Sequence, residues 1–343
     1  MKQLYMITGV LVLLLTACGP SEPASLTVMT HDSFAVSEEV VAAFEEAHNT
    51  QVEFLKVGDA GAATNQAVLA AGNPLADVFY GVDNTFLSRA LDGEVFEVYE
   101  SPLLEVIPDE FELDAEHRAL PVNWGDICLN YEKAYFAEAG LAPPADLDDL
   151  LEPEYAGLLA VENPATSSPG LSFLLATIGR YGEDGYLDYW QRLVDNDVLV
   201  VNDWETAYYE AFSRWGGERP IVVSYASSPP AEVIFAEEPI DEPPTAAVVN
   251  DESCFRQIEF VGILAGTEQR ALAEAWVDFM LSTTFQEDMP LQMFVFPVNP
   301  EAELQAEFVD YLAVPEVTAF VPPADIAANR EAWIAAWTET VLR

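Results

Sequence analysis

The chain has 343 residues, enough for one or two domains with a sizeable core. Thirteen lysines and arginines stand against fifty-nine aspartates and glutamates, a formal charge of −46. That balance argues against nucleic acid or an anionic lipid surface as a partner, because both require a positive patch.

In chain order, Lys2 supplies a short positive segment and Leu4–Leu15 an apolar run. The run is too short to span a bilayer core of roughly 30 Å as a helix, so residues 1–17 read as a signal peptide. Leu15-Thr16-Ala17-Cys18-Gly19 resembles a bacterial lipobox cut before the cysteine. Cys18 is then expected to carry lipid and hold the chain at the extracytoplasmic face of a bacterial membrane. The alternative is an ordinary cleavage site beside a chance cysteine. Residues 18–24 read as a short tether. No later apolar run is long enough to cross a membrane.

The folded part opens with alternating strand and helix signals. Ser25–Thr30 is predicted as a strand, Glu38–His48 as a helix, Gln51–Val57 as a strand and Ala62–Ala71 as a helix. Ala76–Val82 is a third strand and Asn84–Leu91 a third helix, an order that implies a mostly parallel sheet flanked by helices. A second α/β unit follows. Its predicted strands are Leu120–Tyr131, Leu158–Glu162, Ile221–Tyr225 and Phe255–Leu264. Its helices are Pro169–Arg180, Tyr186–Val194 and Trp204–Trp215, with Glu268–Leu281 and a final helix carrying Trp333 and Trp337 after it.

Two α/β units after a signal suggest two hinged lobes with a cleft between the carboxyl ends of their strands. Residues 25–123 with 262–343 would form the first lobe and 124–261 the second. Cys128 and Cys254 would lie just beyond the two crossings, as candidates for a disulfide in an oxidising compartment. Two separate buried thiols are the alternative.

No phosphate-binding glycine loop, Gly-x-Ser-x-Gly elbow or His-Glu-x-x-His occurs, and His31, His48 and His117 have no metal-ligand spacing. No catalytic residue, cofactor or metal is expected.

Several loops at strand ends carry a resemblance. They are Thr30-His-Asp-Ser-Phe34, Gly81-Val-Asp-Asn84, Asn163-Pro-Ala-Thr-Ser-Ser-Pro-Gly-Leu171, Asn202-Asp-Trp-Glu-Thr-Ala-Tyr208 and Val223-Ser-Tyr-Ala-Ser-Ser-Pro229. In this order the chain resembles the periplasmic thiamine-binding proteins of ABC importers, a resemblance that extends to Phe296-Pro-Val298 and Asn329–Trp333. It implies the two-lobe, type II periplasmic-binding fold. The implied partners are thiamine or a thiamine phosphate as ligand and an importer permease, for a monomer that touches the membrane only through its anchor. Receptors for ferric iron or polyamines share the pattern in part. Tyr208-Tyr209 superficially offers the tyrosine pair of the iron proteins, and a secreted hydrolase is the reading from another class.

Thr166, Ser167, Ser168 and Gly170 lie at a helix start, where free N–H groups favour a phosphate or hydroxyl oxygen; plain capping is the alternative. Trp204 and Tyr225 offer flat faces to thiamine's rings. By the resemblance, Asp59 matches a cleft acid, His31 stands where a tyrosine is usual, Phe294 where a tryptophan is expected, and Ala231 replaces another aromatic. Asp83 is expected in the cleft with Asn84, although Asn84 is equally suited to capping a helix.

Overall fold

The computed structural model describes residues 24–343, the side chain of Glu307 excepted. The signal segment, Cys18 and residues 18–23 of the tether lie outside them. The start of the chain folds as β1 (Ala24–Thr30), α1 (Glu38–His48), β2 (Thr50–Lys56), α2 (Ala60–Leu69), β3 (Val78–Asp83) and α3 (Leu87–Asp92). α1 buries Phe44 and places Glu38 and Glu39 at its positive end. It stops where Asn49 turns left-handed, at φ 46°. A short β4 (Phe96–Glu97) leads to the long β5 (Leu120–Glu132) and α4 (Lys133–Ala139).

The next unit comprises β6 (Leu159–Glu162), α5 (Ser168–Tyr181), α6 (Tyr186–Asp195), β7 (Leu199–Val201), β8 (Ile221–Tyr225), α7 (Ser228–Ile234) and β9 (Thr245–Val248). The chain returns along β10 (Phe255–Leu264) to α8 (Arg270–Leu281), α9 (Thr283–Gln286), α10 (Met289–Gln292) and β11 (Phe296–Pro297). It ends in α11 (Ala306–Asp310) and α12 (Pro323–Val341).

The strands lie in the order β2-β1-β3-β10-β5-β8-β6-β7, with β4 also beside β10 and β9 and β11 beside β5. The trio β2-β1-β3 is parallel, and so is β8-β6-β7. Between them run β10 and β5, antiparallel to each other and to their outer neighbours. These two crossing strands carry the chain from one half to the other and back. Their ladder shifts between Glu259 and Phe260, and the β10–β3 ladder shifts between Phe260 and Val261. A bulge re-aims the side chains beside it, and these two fall in the middle of the molecule.

Cys128 and Cys254 are bonded, with Cα atoms 4.4 Å apart. The bridge sits next to the paired Ile127 and Phe255, at the second-half end of the β5–β10 ladder. Residues 262–343, expected in the first lobe alone, reach both halves. Arg330 of α12 donates to Thr85 O at 3.3 Å near α3, while Trp337 packs edge-on against Trp190 of α6, ring centres 5.3 Å apart.

Trp204–Trp215, expected as one helix, is a π-helical turn at Thr206–Ala211 and a 3₁₀ turn at Ser213–Trp215. Between them Phe212 is extended and bridges to Arg219, its ring buried with Trp204 and Tyr208. Burying that ring breaks the helix that local pattern alone would continue.

Candidate functional site

The carboxyl ends of β1, β2 and β8 and the starts of α2 and α5 converge on a cavity of about 290 Å³. Six of the residues expected in a site line it: His31, Asp59, Ser168, Trp204, Tyr225 and Phe294. Others in the wall carry no strand-end motif, among them Lys56, Tyr209, Gln257 and Glu259.

The aromatic wall is fixed by its own contacts. Trp204 stacks on Tyr208, centres 5.1 Å apart and planes 14° apart, and meets Tyr225 edge-on at 6.2 Å. Its indole Nε1 donates to Ser224 Oγ at 3.0 Å. Gly125 allows Tyr225 to lie close, since a Cβ there would fall 2.9 Å from the Tyr225 ring. Phe294 sits in the left-handed region at φ 57°, its carbonyl accepting a short hydrogen bond from Ser227 Oγ.

The acidic side is equally ordered. Asp59 caps α2, accepting from Ala60 N at 2.6 Å, and its other oxygen accepts from Trp204 N at 3.1 Å. Burial pushes its carboxyl above the ordinary range, partly offset by the Trp204 N–H and by His31. His31 Nε2 lies 3.3 Å from Glu259 Oε1. The approach is not a directed hydrogen bond, so the pairing is chiefly electrostatic. Burial pulls the His31 imidazolium down, but the facing Glu259 carboxylate outweighs this and leaves its pKa raised. Glu259 Oε2 accepts from Tyr80 Oη at 2.8 Å, and Tyr80 in turn accepts from Asn123 Nδ2. Ser168, in the first turn of α5, is held by Gln257 Nε2 at 2.8 Å.

Four expected residues stand behind the wall rather than in it. Ser167 caps α5, accepting from Gly170 N, and Gly170 packs so closely that a Cβ would lie 2.6 Å from Glu162 O. Thr166 Oγ1 donates to Asn202 O at 2.7 Å. Asp83 is wholly buried and accepts from Thr85 N at 2.9 Å and Thr85 Oγ1 at 2.6 Å. Burial pushes its carboxyl up to about 7. Asn84 does not cap α3; its amide donates to Arg256 O and accepts from Ile258 N across β10. Ala231 lines a neighbouring cavity of about 470 Å³ that shares Tyr209 and Phe294 with the first.

Tyr208 and Tyr209 do not converge as an iron-type pair. Their rings are at 89°, and Tyr208 Oη donates to the buried Glu232 at 2.7 Å, away from the cavity.

A wall of flat rings, carboxylates and few hydroxyls suits capture of a small, flat, positively charged solute. Residues 73–323 match the family of bacterial extracellular solute-binding proteins. The chain belongs to that family.

Its sequence is 32% identical over 336 residues to the thiamine-binding periplasmic protein of Salmonella typhimurium, covering 96% of this chain and 98% of the relative. The thiamine-binding periplasmic protein of Escherichia coli is 32% identical over 338 residues, covering 97% and 98%. A solved periplasmic thiamin binding protein superposes with a TM-score of 0.82 at 28% identity, over 95% of this chain and 98% of that one. A periplasmic binding protein from Actinobacillus pleuropneumoniae, with fructose-6-phosphate bound, superposes at 0.79 and 20% identity over 93% and 99%, a likeness of fold alone. The resemblance read from the strand-end loops is therefore borne out, and the fold is the expected two-lobe type II periplasmic-binding fold. The relatives are periplasmic binding proteins, which places this solute-binding chain outside the cytoplasm.

Glu259 was missed because no motif marks it. The available signal was a carboxylate set between Ile258 and Phe260 in the strand Phe255–Leu264.

Proposed function

We propose that this chain binds thiamine or a thiamine phosphate in the His31–Trp204–Glu259 cavity and delivers it to the permease of an ABC importer, without catalysis. The observation that carries this reading is near-full-length similarity to thiamine-binding periplasmic proteins at 32% identity. The cavity chemistry supports it. Glu259 and Asp59 offer negative charge to a thiazolium cation, and Trp204 and Tyr225 offer faces for stacking and cation–π contact. Ser168, at the positive end of the 14-residue α5, suits the ligand's hydroxyl or phosphate.

On this reading the halves 25–123 and 124–261 are the lobes that close on the ligand, with the C-terminal segment packed across them. Cys18 carries the lipid that holds a monomer near its permease. Titration of the purified protein with thiamine, followed by tryptophan fluorescence, should show saturable binding that Trp204→Ala weakens strongly. Absence of any saturable signal would remove thiamine as the ligand.

A further inference from the structure

His31 is an ionisable ring, 7% exposed, at the point where β1 ends on the cavity. Space for it is made by Gly81. In the shifted ladder between β3 and β10, Phe260 pairs with Val82 and Val261 with Tyr80, so Gly81 is the extra residue, at φ 104°. A Cβ on Gly81 would lie 2.4 Å from His31 Cδ2. The bulge thus seats the imidazole against Glu259, while Tyr80 and Asn123 hold that carboxylate from behind. Among the described residues, His31 is the one basic side chain paired with Glu259.

The other groups acting on His31 are Asp59 at the start of α2 and Lys56 at the end of β2, with the Tyr80 ring 5.8 Å away on β3. Asp83 on β3 and Tyr225 on β8 also interact with the same carboxylate. Lys56 is turned aside, its Nζ donating to Asp32 O at 2.9 Å.

We propose that His31 is a displaceable counter-ion: its imidazolium balances Glu259 in the empty cavity, and a cationic ligand takes over that role and expels the ring proton to solvent. The inference rests on the thiamine reading, which supplies the cation. Asp59 is engaged by the Ala60 and Trp204 N–H groups, so a ligand cation seated against Glu259 competes with His31 for that carboxylate, and the imidazolium is the one that can lose its charge. A neutral solute of the same shape leaves the His31–Glu259 pair intact and gains nothing from Glu259, so the pair sets specificity as well as proton release. The raised His31 pKa agrees with this. Lower pH then opposes cation binding.

The test measures the thiamine Kd from acid to mildly alkaline pH for the wild type and His31→Gln, with proton release read by calorimetry in two buffers. Wild-type affinity should rise with pH by up to about tenfold per unit below the His31 midpoint. His31→Gln should be flatter by about one proton and bind more tightly than wild type at acid pH. Asp59 and Asp83 titrate in both proteins, so the difference between the slopes reports His31 together with its effect on Asp59. Equal slopes in the two proteins would overturn the proposal.

NMR titration of the three histidines in the ligand-free protein gives a second reading. Glu259→Gln should lower the His31 midpoint, and an unchanged midpoint would overturn the pairing. If thiamine binds at no pH, the ligand reading falls by itself, while the Glu259→Gln titration still decides the pair.

Discussion

Asp59 joins the two sides of the cavity through one carboxylate, and Asp59→Asn tests that directly. One oxygen accepts from Ala60 N and caps α2; the other accepts from Trp204 N, 145 residues along the chain. Asparagine has a single acceptor oxygen for two N–H groups and turns an NH₂ toward the second. A hydrogen bond to a charged group contributes roughly 1.5–3 kcal/mol. If the remaining oxygen keeps the cap, the loss falls on the link to Trp204. At about 1.4 kcal/mol per factor of ten, the closed arrangement is then disfavoured by roughly 10- to 100-fold. A ligand that binds only the closed form loses affinity by that factor. Thiamine titration by tryptophan fluorescence at mildly alkaline pH, which favours the Asp59 carboxylate that burial disfavours, reads the change. Small-angle scattering of the free protein should show a larger mean radius. A Kd within about threefold of wild type, with unchanged scattering, would refute the link.

Three further outcomes follow from the same geometry. Replacing Cys128 and Cys254 together by serine frees a loop of 126-residue separation and should destabilise the protein by about 2–5 kcal/mol in urea denaturation. A loss below about 1 kcal/mol would show that the β5–β10 ladder alone holds that end. Gly81→Ala pairs a left-handed backbone with a 2.4 Å approach to His31 and should cost about 1–3 kcal/mol. Most of the steric part should return in Gly81→Ala/His31→Ala, and strictly additive losses would refute the clash. Asp83 holds its proton up to about 7 in the folded protein but only to its ordinary 3.8 when unfolded. The folded state therefore binds the extra proton between those values, and this group's stabilising contribution is lost as pH rises through them, by at most about 1.4 kcal/mol per unit. In Asp83→Asn that part of the stability–pH curve should disappear; an unchanged curve would assign the slope to other buried acids such as Glu162.

The first six elements, β5, β10 and the final helix were legible from local runs of apolar and helix-forming residues, with α1 ending at Asn49 and α3 at Gly93. The strand-end loops were legible for a related reason: helix capping at Ser167 and the aromatic at Trp204 are short-range patterns, whereas the cap at Asp59 emerged only in the structure. The local pattern also misled. Trp204–Trp215 has helical spacing, yet burial of Phe212 breaks it into two turns. Asn84 looks like a cap, yet its amide is taken up by β10 while Asp83 takes the N–H groups of the turn.

The residues alone determined the two α/β units and the loops that would meet at their strand ends. Only the tertiary structure decided which of those loops touch. Glu259 meets His31 because two ladder shifts and a left-handed Gly81 set the register of β3, β10 and β5. A one-residue change of register would turn that carboxylate to the opposite face. Register depends on pairing between strands far apart in the chain, so no local period of the sequence can carry it.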